Sequence, residues 1–484
     1  MIKKKYIILM LLCCITLMAG DKPASKNTTL TIGIMQDIKS LYPWSEESKQ
    51  FESNLIMQNI YETLFRFKEG SSTIEPWLAK SYDVSADFKT WTIRLRENIK
   101  FHNGKPFDAD DVKASLSVYP EFTDRITKKN EHEVVITLDE PKLALPATLA
   151  RTSYCITSIL TVSYYRFDSF KQEYYGTGPY TFQKRSAKKE IVLTANAKYW
   201  NKKPTYKKII YKVFQNEKDL VAALKSQIVQ SVPDISFTAL KEIEKVPYLQ
   251  SRTIPSLSIG YLAINTEKKP FDDLRVRMAI AHAINKEALV KKYFFNGQTG
   301  VAAKSFAPEQ MLALNEPMLE VRYDVEKAKA LLREAGYADG FEAVFIVTAL
   351  KSNYLPDPLN IAEDIGTDLL EIGIRATTIQ PDSREALLNL LGSDNYDMVL
   401  TGWTSETIDL NDFLTELYSA KAIGTSNVSR WVNKKFDDLI EQARNQKSPE
   451  ERIKLYQQAR QLFHQDMPLV PLFNPLTTMV WNTK

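Results

Sequence analysis

Apolar and polar positions along this chain repeat with two periods, one of strands and one of helices. Leu30 to Met35 (Leu-Thr-Ile-Gly-Ile-Met) alternates and is β-branched, which predicts a strand. A turn follows at Tyr42-Pro43-Trp44, and Ser53 to Phe65 then spaces Leu55, Ile56, Asn59, Ile60, Thr63 and Leu64 as a helix does. Trp91 to Leu95 reads as a strand, Asn103-Gly104-Lys105-Pro106 as a turn, and Asp108 to Ser115 as a helix with acidic residues at its positive end. Strands at Glu133 to Leu138 and Ile191 to Ala195 flank the segment Gly176-Thr177-Gly178-Pro179-Tyr180. That segment lacks the Lys-Ser/Thr of a P-loop and the spacing of a dinucleotide fingerprint, so it reads as a backbone turn. The second half predicts helices at Asp272 to Ile284, Val325 to Ala335, Ile361 to Ile372, Lys434 to Gln446 and Pro449 to Phe463. Short strands at Ala343 to Val347 and Met398 to Leu400 fall between them, the alternation of an α/β domain.

Composition narrows the class. A chain of 484 residues is too long for one core and divides into two or three domains. With 44% hydrophobic and 25% charged residues, disordered and multi-span membrane classes drop out. The net charge of +4 is nearly balanced and gives no support to a nucleic-acid partner. At the N-terminus, Lys3, Lys4 and Lys5 precede an apolar run from Tyr6 through Met18, with Ala19 and Gly20 before the polar Asp21. This is the pattern of a secretory signal over residues 1–20, followed by a linker over 21–29. The run is shorter than the roughly 20 apolar residues of a bilayer span. Export would place the protein in the periplasm or on the extracellular face of the cytoplasmic membrane. Soluble release and a lipid anchor are both open, with release the better fit, because Gly20 is followed by Asp21 and Cys14 lies inside the apolar run. Cys155 is the one cysteine beyond that segment and reads as a small buried hydrophobe.

Catalytic chemistry finds no constellation. His102, His132, His282 and His464 have no partner His or Cys at metal-ligand spacing, and His282 sits in the apolar helical run Met278-Ala279-Ile280-Ala281. Neither Gly-x-Ser-x-Gly nor His-Glu-x-x-His occurs. The sequence therefore names no catalytic residue, no metal ligand and no cofactor.

Several segments together resemble a known family. They are Glu75-Pro76-Trp77-Leu78-Ala79-Lys80-Ser81-Tyr82, Trp91 to Arg96, and Ile99-Lys100-Phe101-His102-Asn103-Gly104-Lys105-Pro106-Phe107-Asp108-Ala109-Asp110-Asp111-Val112. Gly176 to Tyr180, Gly260 to Asn265, Lys269 to Arg277, Tyr323-Asp324, Gly402-Trp403 and Trp431 to Asp437 follow in order. This set resembles the family 5 extracellular solute-binding proteins, the peptide and nickel group, and is most like the dipeptide- and oligopeptide-binding proteins of ABC importers. Asn103 stands where the family usually has Asp, and the chain stops soon after Asn474, which suggests a trimmed last strand.

The resemblance implies an α/β, two-lobed periplasmic-binding-protein (Venus-flytrap) fold with an extra inserted domain. Lobe I would comprise residues 30–60, 170–260 and 470–484, the inserted domain 61–169, and lobe II 261–469, with hinge crossings near Ile259 and Pro471. It implies a monomer that captures short peptides between its lobes, without chemistry, and delivers them to ABC importer permease subunits. The site would use Thr401, Gly402, Trp403, Thr404 and Ser405 as a strand edge, with Glu406 where dipeptide-type relatives carry Asp to hold the α-ammonium. Asp409 is the next carboxylate, Phe51 the aromatic near the ligand, and Ser258 a hinge-side lining residue. Tyr354 to Ile361 supplies no basic residue for a ligand carboxylate. The same fold binding a nickel chelate, haem or an oligosaccharide is the alternative, and an exported hydrolase a more distant one.

Overall fold

A computed structural model describes residues 28–48, 50–68, 74–167, 173–308, 311, 321–348, 352–393, 395–405, 410–446 and 448–483. The N-terminal apolar run, Glu406 and Asp409 lie outside these described residues. The chain forms two compact units, Met1–Arg252 with Thr478–Lys484, and Thr253–Thr477. It therefore passes from one to the other after Arg252 and after Thr477.

In the first unit, the strand Thr29–Ile34 pairs in parallel with Lys208–Val213, which continues antiparallel to Glu190–Ala195 and then Tyr180–Ser186. Period-2 patterning sets its faces: Leu30 and Ile32 on one strand, and Ile209, Tyr211 and Val213 on the other, are buried in a common core. The helix Phe51–Ile60 covers that core with Leu55, Ile56 and Ile60. It is shorter than the helical spacing suggested: the chain turns extended at Tyr61 (φ −113°, ψ 160°), and Phe65–Phe67 is a strand. Cys155 is buried in the same core. The last strand spans Leu469–Asn482. Its end pairs antiparallel with Ser231–Val232, through Val480 and Trp481.

The first unit also holds a separate four-stranded antiparallel sheet, Ala79–Val84, Thr90–Leu95, Glu133–Thr137 and Ile126–Asn130 in spatial order. It encloses its own core of Trp91, Ile93, Phe107, Val112, Val134 and Ile136. The helix Ala109–Leu116 starts on a reciprocal cap. Asp110 N–H donates to Asp108 Oδ1 (2.8 Å), and Asp108 N–H donates to Asp111 Oδ2 (3.2 Å), satisfying donors that helix geometry orphans.

The second unit is α/β. All seven residues of Ser258–Ile264 are buried, as expected for a central strand covered on both faces. It pairs antiparallel with Met398–Thr404 and with Leu469–Asn482. Met398–Thr404 then pairs in parallel with Phe341–Val347, itself parallel to Ile374–Ile379. Leu274–Ala283 and Pro358–Glu371 contribute to the core on one face, whereas Leu410–Tyr418, Lys434–Arg444 and Pro449–Asp466 contribute to the other. The strand Met398–Thr404 outruns its apolar stretch because cross-strand pairing carries the polar Thr401-Gly402-Trp403-Thr404 along with it.

Candidate ligand-binding site

The ladder of the second unit places most of the residues singled out from the sequence side by side. Ser258 faces Thr404, Ile259 faces Trp403, Gly260 faces Gly402 and Tyr261 faces Thr401. Ser405 extends the contact, its N–H donating to Leu257 O at 2.9 Å. On the other side of Met398–Thr404, parallel pairing ends at Leu400. Beyond it, Thr401 to Thr404 has no second strand partner among the described residues, which leaves backbone donors and acceptors along one edge.

Why glycine stands at both 260 and 402 follows from the neighbour above them. A Cβ at Gly260 would lie 2.6 Å from Tyr354 O, and one at Gly402 would run into the Tyr354 ring and come within 2.5 Å of Ile259 O. The paired glycines thus let the Tyr354 segment lie directly on the ladder. A polar chain fastens it: Asn353 Nδ2 donates to Ser258 Oγ (3.1 Å), and the Ser258 and Thr404 hydroxyls hydrogen-bond at 2.8 Å. Asn474 Nδ2 donates to Ser258 O at 3.3 Å. Ser258 is accordingly a buried strut of the ladder, while Thr404 is exposed. Burial raises the Tyr354 hydroxyl above its ordinary pKa, so it is a neutral phenol at physiological pH.

Trp403 joins a core contact to an unpaired donor. Its half-buried ring packs against the core containing Ile259 and Phe413, yet its buried indole Nε1–H has no hydrogen-bond partner. An unpaired buried donor is costly, and an incoming acceptor relieves that cost. Phe51 belongs to the first unit, where it opens the helix Phe51–Ile60 with 38% of its surface exposed.

Sequence reasoning missed Asn353 and Tyr354 as parts of this arrangement; the glycines at 260 and 402, read as a request for close approach, were the available signal. It also missed a polar hub in the first unit. The buried Glu62 carboxylate accepts from Trp77 Nε1 (2.7 Å), Trp200 Nε1 (2.8 Å), the Tyr199 hydroxyl (2.7 Å) and the Thr177 hydroxyl (2.7 Å). Burial pushes its pKa up, while the four donors pull it down. Gly176-Thr177-Gly178 is a point of close approach rather than a free turn: a Cβ on Gly178 would lie 2.6 Å from Ile60 O. His102 is locked against this segment, Gly176 N–H donating to Nδ1 (3.3 Å) and Nε2–H to Gly178 O (3.0 Å). His282 is buried with Nδ1–H donating to Arg322 O (2.7 Å). Among the described residues, no group of three His, Cys, Asp or Glu side chains could hold a metal ion.

Comparison with known proteins agrees with this architecture. Residues 73–425 match the family described as bacterial extracellular solute-binding proteins, family 5 Middle. The dipeptide-binding protein of Escherichia coli K12 is 30% identical over 446 residues, covering 84% of this chain and 82% of that protein. Heme-binding protein A of Haemophilus influenzae is 28% identical over 88% of this chain and 84% of its own length. Among solved structures, the ABC transporter-associated periplasmic binding protein DppA of Helicobacter pylori, in complex with the peptide STSA, superposes with a TM-score of 0.79. It is 27% identical and covers 94% of each chain. The fold is therefore that of the two-lobed periplasmic binding proteins. The chain belongs to the family 5 bacterial extracellular solute-binding proteins.

Proposed function

We propose that this chain is the exported solute-binding component of an ABC importer, and that it captures short peptides and passes them to the membrane permease without chemical change. The observation that carries the reading is the edge of Thr401 to Thr404, free of a second strand partner among the described residues and containing Trp403 with its unpaired indole N–H. A peptide backbone satisfies such an edge as an added strand does, whatever its side chains, which gives sequence-tolerant affinity. Relatives named for dipeptide binding support the same ligand class.

Thr401, Gly402, Trp403, Thr404 and Ser405 form the receiving edge in this reading, with Ser258 bracing it. Glu406 holds the peptide α-ammonium, Asp409 is its neighbouring carboxylate, and Phe51 contributes an aromatic contact. Residues 1–20 act as the export signal and 21–29 as a linker; 61–169 form the inserted domain, and the working protein is a monomer. Native mass spectrometry of protein purified from the extracytoplasmic fraction without denaturation tests the proposal. Retained masses of two to several amino-acid residues are expected, with an intact mass lacking roughly the first 20 residues. A co-purifying haem chromophore, or failure of every short peptide to bind in calorimetry, would overturn it.

A further inference from the structure

The loop that joins Glu190–Ala195 to Lys208–Val213 carries a charge pattern that ligand capture does not use. Residues 196–208 contain five lysines, Lys198, Lys202, Lys203, Lys207 and Lys208, and no acidic residue. That local charge exceeds the net +4 of the entire chain. Four of the five are exposed and Lys208 is half-buried. Among the described residues none of the five makes an ion pair, whereas Lys184 and Arg185, on the neighbouring strand Tyr180–Ser186 toward its far end, pair with Glu190 and Asp37.

The loop is fixed rather than loosely displayed. Tyr199 and Trp200, lying between the lysines, donate to the buried Glu62 carboxylate at 2.7 and 2.8 Å, and Asn196 Nδ2 donates to Gly178 O at 3.1 Å. Arg96 adds a further cation, its guanidinium over the Trp200 ring at 5.5 Å. The aromatic side of the loop is thus bound inward, and the exposed lysines stand outside it. This cluster also surrounds the place where the chain enters the fold. Lys207 and Lys208 N–H groups both donate to Thr28 O, at 2.7 and 3.2 Å, and Lys208 is in register with Thr29. Upstream of Thr28 the sequence leads back to the lysine-led apolar run of residues 3–18.

We propose that this lysine cluster is an electrostatic docking face for an anionic lipid bilayer. In the export reading the receptor works beside the cytoplasmic membrane, and a fixed loop carrying five lysines and no acidic residue complements the charge of anionic lipid headgroups. Lysines that escape internal pairing there gain from a negative lipid surface, each by a factor of about five in partitioning, through a force that salt screens. Such a face would hold the receptor near a membrane-embedded partner without an inserted anchor.

The test uses the protein isolated from the extracytoplasmic fraction and sedimentation with vesicles of phosphatidylglycerol and phosphatidylcholine, or of phosphatidylcholine alone. Wild type is expected to partition onto the anionic vesicles only, and to come off as salt is raised. The variant K198E/K202E/K203E/K207E should lose about 100-fold or more of that partitioning with an unchanged thermal unfolding curve. K184E/K189E, altered at the hairpin between Tyr180–Ser186 and Glu190–Ala195, away from the loop, should lose much less. Equal partitioning of wild type and the four-site variant, or no preference for phosphatidylglycerol, would overturn the proposal. So would a variant impaired in import while wild type ignores anionic vesicles, because the cluster would then face an acidic protein surface. The vesicle readouts do not depend on which solute the receptor carries.

Discussion

At the residue scale, the candidate site is defined by groups that lack something. Trp403 Nε1–H lacks an acceptor, and Gly402 lacks the atom that would displace Tyr354. Trp403→Phe keeps a ring in the core while deleting the donor. If a bound peptide supplies the acceptor, affinity should fall about 3- to 10-fold by calorimetry with little change in thermal stability. An unchanged affinity would move the indole out of the site. Gly402→Ala acts differently, since the added carbon meets backbone at Ile259 O, which cannot rotate away. The variant should lose about 1 to 3 kcal/mol in urea unfolding and weaken peptide binding together with it. Glu406→Gln probes the ammonium contact: peptides with a free amine should weaken by about 30-fold or more, from the 2 to 5 kcal/mol typical of a desolvated charge pair, and N-acetylated peptides far less. Equal effects on both peptide types would exclude Glu406 as the ammonium partner.

Elements were legible where their residues carry a local rule. The Asp-Ala-Asp-Asp-Val run specified the helix Ala109–Leu116 because capping is a contact within one turn, and alternation specified Thr29–Ile34 and Thr90–Leu95 because burial there follows the pleat. The helix Phe51–Ile60 was overextended because Glu62 must leave helical geometry for Trp77, Thr177, Tyr199 and Trp200, and no spacing rule links residues that far apart. The same hub accounts for two segments of the family resemblance, around Trp77 and Thr177: they meet on a structural carboxylate rather than on ligand. Likewise the strand Met398–Thr404 could be seen only in its apolar first half, while the polar half proposed as the receiving edge is held by cross-strand register. An element-level check uses Gly366, inside the helix Pro358–Glu371, where a Cβ would meet nothing within 4 Å. Gly366→Ala should raise stability by about 0.5 to 1 kcal/mol, the opposite sign to Gly402→Ala, and a shift in urea midpoint at constant slope reads it.

At the scale of the whole molecule, the near-neutral net charge hides local balances that set behaviour in acid. The half-buried His464 lies near Phe306 and Phe463 with neither ring nitrogen hydrogen-bonded. Burial first, and then the Arg460 and Lys286 cations, pull its pKa from 6.5 down to about 4. The folded state therefore holds this ring neutral, while the unfolded chain takes up its proton near pH 6.5. The contribution is fully present above pH 6.5 and is lost as pH falls toward 4, because protons then favour the unfolded chain; the span amounts to about 3 kcal/mol. Asp111 works in the opposite direction. Its carboxyl, raised to about 6 by burial, favours the folded state increasingly as pH falls from 6 toward 3.8. Because the two partly offset each other, the wild-type curve alone does not isolate the histidine, and a difference between proteins does. His464→Gln removes the titration while keeping a polar side chain of similar reach. Urea unfolding free energies at pH 7.5, 6.0, 5.0 and 4.0 should therefore show wild type losing more stability than the variant on acidification, with the gap opening below pH 6.5 and approaching about 3 kcal/mol near pH 4. Parallel curves across that range would mean that His464 takes up its proton in the folded protein as readily as in the unfolded one, and that acid sensitivity arises elsewhere.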